Sequence, residues 1–211
     1  MNYRTIAALC IAIVSVMAGA SARAGIILNS GFEATQYGTG YFSYPNATVD
    51  NWTYSGLSGL INASGGSAWY VGSGPTGFGG DQYAFIQTTG SISQTFTSGA
   101  GLFSLSFLDT GRTSSCCNGS QTFQVLIDGT VLGTFSTTAS GAFALQNIPS
   151  ISFTAGQHTL AFDGTDPGGG DVTSFIDTVN LTASVPEPSS AVLFGLALCG
   201  VAALYRRRFN A

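Results

Sequence analysis

Between residues 25 and 185 apolar and polar side chains alternate, and no apolar stripe at helical spacing persists. Ser104 and Ser106 separate Phe103, Leu105 and Phe107. Thr122 and Gln124 interleave with Phe123, Val125 and Ile127, and Leu160 and Phe162 follow a Gly156-Gln157 turn signal. A period of two places one set on each face of an extended chain, so these segments are half-buried strands. Asp128-Gly129 lies between apolar runs at 123–127 and 130–135. That pair suits a type I′ hairpin, whose two central residues need positive φ. A second hairpin is predicted at Thr89-Gly90-Ser91, joining 83–88 to 91–97. Roughly eight to ten such strands with Gly-rich turns predict an all-β fold, an antiparallel β-sandwich in jelly-roll form. Two segments read as long loops, 72–80 and 164–170. The first borders a ligand surface or simply connects strands, and the second binds a cation or simply turns the chain.

The pattern changes at both ends. Residues 1–24 carry Arg4, an apolar stretch from 6 to 17, and small residues Ala22 and Ala24, which predict a signal peptide cleaved by signal peptidase after Ala24. Near the other end Pro186-Glu187-Pro188 precedes an apolar run from 191 to 205 and the triplet Arg206, Arg207, Arg208. Fifteen apolar residues make a helix of about 22 Å, short against a hydrocarbon core of roughly 30 Å. A short transmembrane helix over 190–205 is expected, its arginines held on the cytoplasmic side. The order Pro-Glu-Pro, apolar helix, basic cluster over 185–210 resembles the PEP-CTERM sorting signal of Gram-negative bacteria, which an exosortase recognises. The resemblance implies export, transient residence in the inner membrane, processing near Pro186–Pro188, and association with the cell envelope, outer surface or exopolysaccharide matrix. The expected domains are thus 1–24, signal peptide; 25–184, β-sandwich; and 185–211, sorting segment.

Composition narrows the function classes. The chain has 211 residues and a formal charge of −4, but five of its six basic residues lie in the terminal segments and none is lysine. Between 25 and 185 nine acids face Arg112 alone, a net of −8. Nucleic acid is excluded as a partner, because binding it depends on Lys and Arg neutralising phosphates. Divalent cations are compatible with such a surface.

Asn29-Ser30-Gly31-Phe32-Glu33 near the start of the body, Trp52, the run Gly90-Ser91-Ile92-Ser93-Gln94-Thr95-Phe96, and the closing Phe175-Ile176-Asp177-Thr178-Val179-Asn180-Leu181 resemble the galactose-binding-like jelly-roll superfamily. That superfamily includes many bacterial carbohydrate-binding modules and the DUF642-type domains often attached to PEP-CTERM tails. By period two Phe175, Asp177, Val179 and Leu181 share one face, so Asp177 points to the apolar side and needs a partner. The resemblance implies a structural calcium between first and last strands, held here by Glu33 and Asp177. The family's closing motif commonly has two acids where this chain has Asp177-Thr178. The competing reading is an Asp satisfied by backbone N–H groups and a solvated Glu.

No motif for nucleophilic or metallohydrolase catalysis is present, and the single histidine, His158, reads as an exposed strand residue. Adjacent Cys116 and Cys117 lack zinc or thioredoxin spacing. A vicinal disulfide is favoured over an interchain bridge or free thiols. Aromatic residues cluster between 37 and 70, and Trp69 with Tyr70, beside the 72–80 loop, are the candidate sugar-stacking pair. The leading expectation is a noncatalytic, exosortase-sorted envelope protein that binds extracellular polysaccharide. The alternatives are a carboxylate-dependent polysaccharide hydrolase and a purely structural matrix or adhesion protein.

Overall fold

The computed structural model describes residues 26–62, 69, 79–113, 119–138, 142–167 and 171–184. Ala22, Ala24, Tyr70, Cys116, Cys117 and the whole sorting segment from 185 onward lie outside the described residues. Twelve strands form: β1 Phe42–Ser43, β2 Thr48–Val49, β3 Trp52–Ser55, β4 Ser58–Asn62, β5 Gln82–Gln87, β6 Ser91–Ser98, β7 Gly101–Gly111, β8 Gln121–Ile127, β9 Thr130–Thr137, β10 Ala144–Phe153, β11 Gly156–Gly164 and β12 Thr173–Ala183. They build two six-stranded antiparallel sheets, ordered β1-β4-β5-β12-β7-β10 and β2-β3-β6-β11-β8-β9. This is the antiparallel jelly-roll sandwich that the alternation predicts. Among the described residues no helix is long and apolar enough to cross a membrane.

The inward sets pack as expected. Phe103, Leu105 and Phe107 from one sheet meet Phe123, Val125, Ile127, Leu160 and Phe162 from the other in the main core. The β8–β9 connection is the tight hairpin foreseen at Asp128-Gly129, with φ of 51° and 77°. Thr89-Gly90 is different: β5 pairs with β4 and β12 whereas β6 pairs with β3 and β11, so this turn carries the chain from one sheet to the other. Both neighbouring strands satisfy their N–H and C=O groups elsewhere, which makes a hairpin between them unnecessary. The same switch occurs between β3 and β4, β6 and β7, and β10 and β11.

A second apolar cluster lies on the other face of the first sheet, where Ile61, Tyr83, Phe85 and Phe175 pack with Trp69, Tyr44 and Phe143. Covered on both faces, β4 and β5 are buried at every position and show no alternation in sequence. In β12 a register shift falls between Asp177 and Asn180, and Thr178 sits at φ 49°. This bulge resets the period. Phe175 therefore joins the second cluster while Val179 and Leu181 join the main core. The expectation that Phe175, Asp177, Val179 and Leu181 share one face is corrected on that account: Asp177 has the parity of Phe175.

Candidate functional site

The bulge in β12 opens its edge to the start of the body. Ser30 accepts from the Val179 N–H (2.8 Å) and Leu181 from the Ile26 N–H (3.4 Å), so residues 26–30 run beside the last strand where β5 has ended. Phe32, at φ 61°, inserts into the core against Trp52, whose indole N–H donates to the Asn29 carbonyl. The turn that buries Phe32 sets Glu33 and Asp177 on either side of Gly31.

Asp177 is fully buried. Its Oδ2 accepts from the Gly79 N–H (2.7 Å) and its Oδ1 from the Thr178 N–H (2.6 Å). Glu33 is half-buried and takes the Gln82 N–H on Oε1 and the Gln36 amide on Oε2, each at 2.7 Å. Loss of water raises the Asp177 carboxyl to about 7, a rise that the Glu33 charge reinforces and the Gly79 and Thr178 N–H groups oppose. The one basic side chain of the body, Arg112, is engaged with Asp171 (2.8 Å). Among the described residues Asp177 and Glu33 thus crowd negative charge with no side-chain cation paired to either.

The donor set fits calcium, which takes six to eight hard oxygens from carboxylates and carbonyls. A Cβ added to Gly31 would sit 3.5 Å from the Gly79 carbonyl oxygen, 3.7 Å from Asp177 Oδ1 and 3.9 Å from Cγ of Glu33, and one on Gly80 would overlap Glu33 Oε1 at 2.2 Å. Glycines there keep the cradle open. No three His, Cys, Asp or Glu side chains converge among the described residues, so backbone oxygens would complete the shell. Both carboxylates already meet N–H groups, as the competing reading required of Asp177, and Asp177 takes the Thr178 hydroxyl as well.

Sequence reading missed Gln82. Fully buried, its side chain donates to the Phe32 and Thr35 carbonyls and accepts the Tyr37 N–H, tying the 32–37 turn to β5. Its position ahead of an apolar run was the available signal.

Trp69 is only 5% exposed, packed against Phe85 and Phe42 (centroids 4.6 and 5.0 Å) with the Arg112 guanidinium 4.9 Å from its ring centre. Protein covers the ring expected to meet a sugar. A polar chain continues from it: Gln87 accepts from the Tyr44 hydroxyl and donates to Asp171 and Thr173. His158 is also buried, not exposed as expected, because it stacks on Phe153 (4.9 Å) and lies near Phe96. It forms part of the lining of an open pocket of about 400 Å³, with Asp128, Leu132 and Phe153.

The family described as the PEP-CTERM protein-sorting motif matches residues 184–208. No curated protein matches the chain. Among solved structures the body is similar to TmCBM61 in complex with beta-1,4-galactotriose, at 19% identity and TM-score 0.52, covering 77% of this chain and 100% of that one. It is also similar to the Stig cyclase Fisc from Fischerella sp. TAU, at 18% identity and TM-score 0.56, covering 77% of this chain and 98% of that one. At such identities both likenesses speak for the fold alone. The chain thus carries a PEP-CTERM protein-sorting motif, at residues 184–208, beside an antiparallel jelly-roll β-sandwich whose fold is similar to that of TmCBM61 and of the cyclase Fisc alike.

Proposed function

We propose that this protein is exported through its N-terminal signal, held briefly in the inner membrane by its tail, processed by an exosortase at Pro186-Glu187-Pro188, and placed in the envelope or exopolysaccharide matrix of a Gram-negative bacterium as a noncatalytic, glycan-binding sandwich. The observation that carries the reading is the sorting motif at 184–208 joined to a jelly-roll body. Support for a noncatalytic role comes from how the acids are used. Asp128 and Asp171 pair with the only histidine and the only body arginine, Asp177 binds backbone N–H groups, and Asp109 is buried against Gln146. Structural calcium held by Glu33 and Asp177 would neutralise the seam between residues 26–33 and β12; its chemistry there is electrostatic cross-linking. The vicinal Cys116–Cys117 disulfide stays part of the proposal, with a loss of two mass units as its readout (about 2 Da).

Expression in a host with an exosortase tests the sorting step. The reading expects wild-type protein in the surface or matrix fraction and Glu187→Ala accumulating in the inner membrane. Equal distribution of both would overturn it. Incubation with soluble polysaccharides should release no reducing ends; release abolished by a single Asp or Glu substitution would establish the hydrolase alternative instead.

A further inference from the structure

The aromatic rings of the 37–70 region are held in different ways. Trp52, Tyr54 and Trp69 are buried, while Tyr41 is 52% exposed. The Tyr41 ring lies on Tyr37, centroids 5.2 Å apart and planes 25° from parallel, which supports one side and leaves half the side chain open. Its backbone is fixed as well. The Tyr41 N–H donates to Gly38 (3.0 Å) and its carbonyl accepts from the Asn62 N–H (2.9 Å), while the Asn62 side-chain amide donates to the Tyr37 carbonyl (2.7 Å). Gln82 holds the Tyr37 N–H (2.8 Å), and both Asn62 and Gln82 are buried. Two buried amides therefore hold an exposed aromatic stack rigid at the edge of the first sheet, beside β1. Phe42, the next residue, is 42% exposed, and its ring packs on Trp69 and Tyr44 rather than on the Tyr37–Tyr41 stack.

A rigid ring with a free face loses little conformational entropy on stacking and offers an apolar surface with a polar edge. The C–H face of a pyranose matches that surface, and sugar hydroxyls can reach the phenol oxygen. Charge chooses among glycans. Tyr37 feels the Asp50 carboxylate, Glu33 lies four residues earlier, and Arg112 is committed to Asp171. A polyuronate would be repelled. We propose that Tyr41, backed by Tyr37, is the stacking platform for a pyranose ring of a neutral glycan. The proposal rests on the glycan-binding reading above and moves its contact from Trp69 to Tyr41.

Native affinity gels run on the full chain in mild detergent, containing β-1,4-galactan, mixed-linkage β-glucan or polygalacturonate, provide the test. The expected result is retardation by a neutral polymer, at least about tenfold weaker in Tyr41→Ala and largely kept in Tyr41→Phe, a factor equivalent to one good aromatic contact. Tyr41→Leu, which still covers Tyr37, must lose binding too, at an unchanged melting temperature. Undiminished retardation of Tyr41→Ala would overturn the platform and leave glycan binding standing. Retardation by polygalacturonate alone would overturn the neutral ligand, and none in any gel would overturn the glycan-binding reading together with this one.

Discussion

Gln94 and Gln121 each stand in for a peptide unit. Gln94 accepts from the Leu28 N–H and donates to the Leu28 carbonyl; Gln121 does the same for Thr88. Both are buried, so each amide satisfies backbone groups that no strand reaches. Replacing Gln94 by leucine removes both side-chain partners of the Leu28 peptide unit, and replacing Gln121 removes the partner of the Thr88 N–H while the Thr88 carbonyl keeps the Asp166 N–H. Each should cost about 1–3 kcal/mol in urea unfolding, Gln94 the more. Their positions were legible: Gln94 has the parity of Ile92 and Phe96, and Gln121 that of Phe123, Val125 and Ile127. An inward glutamine in a strand is a signal that the apolar pattern alone passes over. His158 was not legible, since its burial depends on Phe96 and Phe153 from other strands. Its Nδ1 faces the Asp128 carboxylate (2.7 Å) and its Nε2 the Thr154 carbonyl (3.0 Å), two acceptors that call for two ring N–H groups and hence an imidazolium. Hydrogen bonding to Asp128 raises the His158 pKa. The stabilisation is complete below the unfolded value and is lost as pH rises through the folded one. Melting temperatures measured from pH 5 to 9 should therefore show wild type losing its advantage over Asp128→Asn towards alkaline pH; a constant difference would count against the charged histidine.

At the scale of elements, alternation found β7, β8 and β11, and one dipeptide found the β8–β9 hairpin. Gly129 adopts φ 77° with nothing within 4 Å of an added Cβ, so Gly129→Ala should cost only the conformational term, about 1 kcal/mol. Gly90 is the contrasting case. Its added Cβ would meet the Leu57 carbonyl oxygen at 2.3 Å, because the β5–β6 turn packs on the β3–β4 turn as both cross between sheets. Gly90→Ala should therefore destabilise more than Gly129→Ala in parallel thermal melts, and equal shifts would contradict the crossover packing. A short Gly turn reads alike in sequence whether it closes a hairpin or changes sheets. What decides is pairing with strands distant in the chain, and local pattern does not carry that. The bulge at Thr178 is invisible for the same reason: it arises where β12 exchanges β5 for residues 26–30 as its neighbour.

Across the whole molecule the start of the body and its last strand meet at one seam, and Asp177 lies in it. Without a cation the folded state holds this carboxyl near pH 7, well above its ordinary value of 3.8, so between those pH values the folded chain binds more protons than the unfolded one. Stability of chelator-treated protein must then fall as pH rises from about 4 to 7, by an amount on the order of a few kcal/mol at most. His158 contributes a slope of the same sign at higher pH, so the comparison needs Asp177→Asn, which removes the seam carboxylate and leaves His158 in place. We expect wild type in chelator to melt at lower temperature at pH 7.5 than at pH 5, Asp177→Asn to show a smaller drop, and calcium at pH 7.5 to raise the wild-type melting temperature and not that of the variant. A cation bound at the seam joins segments about 150 residues apart, so its effect should appear as a shift of the entire cooperative transition rather than as an early local step. Calcium that left wild type unmoved at pH 7.5, or that moved Asp177→Asn equally, would return Asp177 to the simpler role of an acid held by the Gly79 and Thr178 N–H groups.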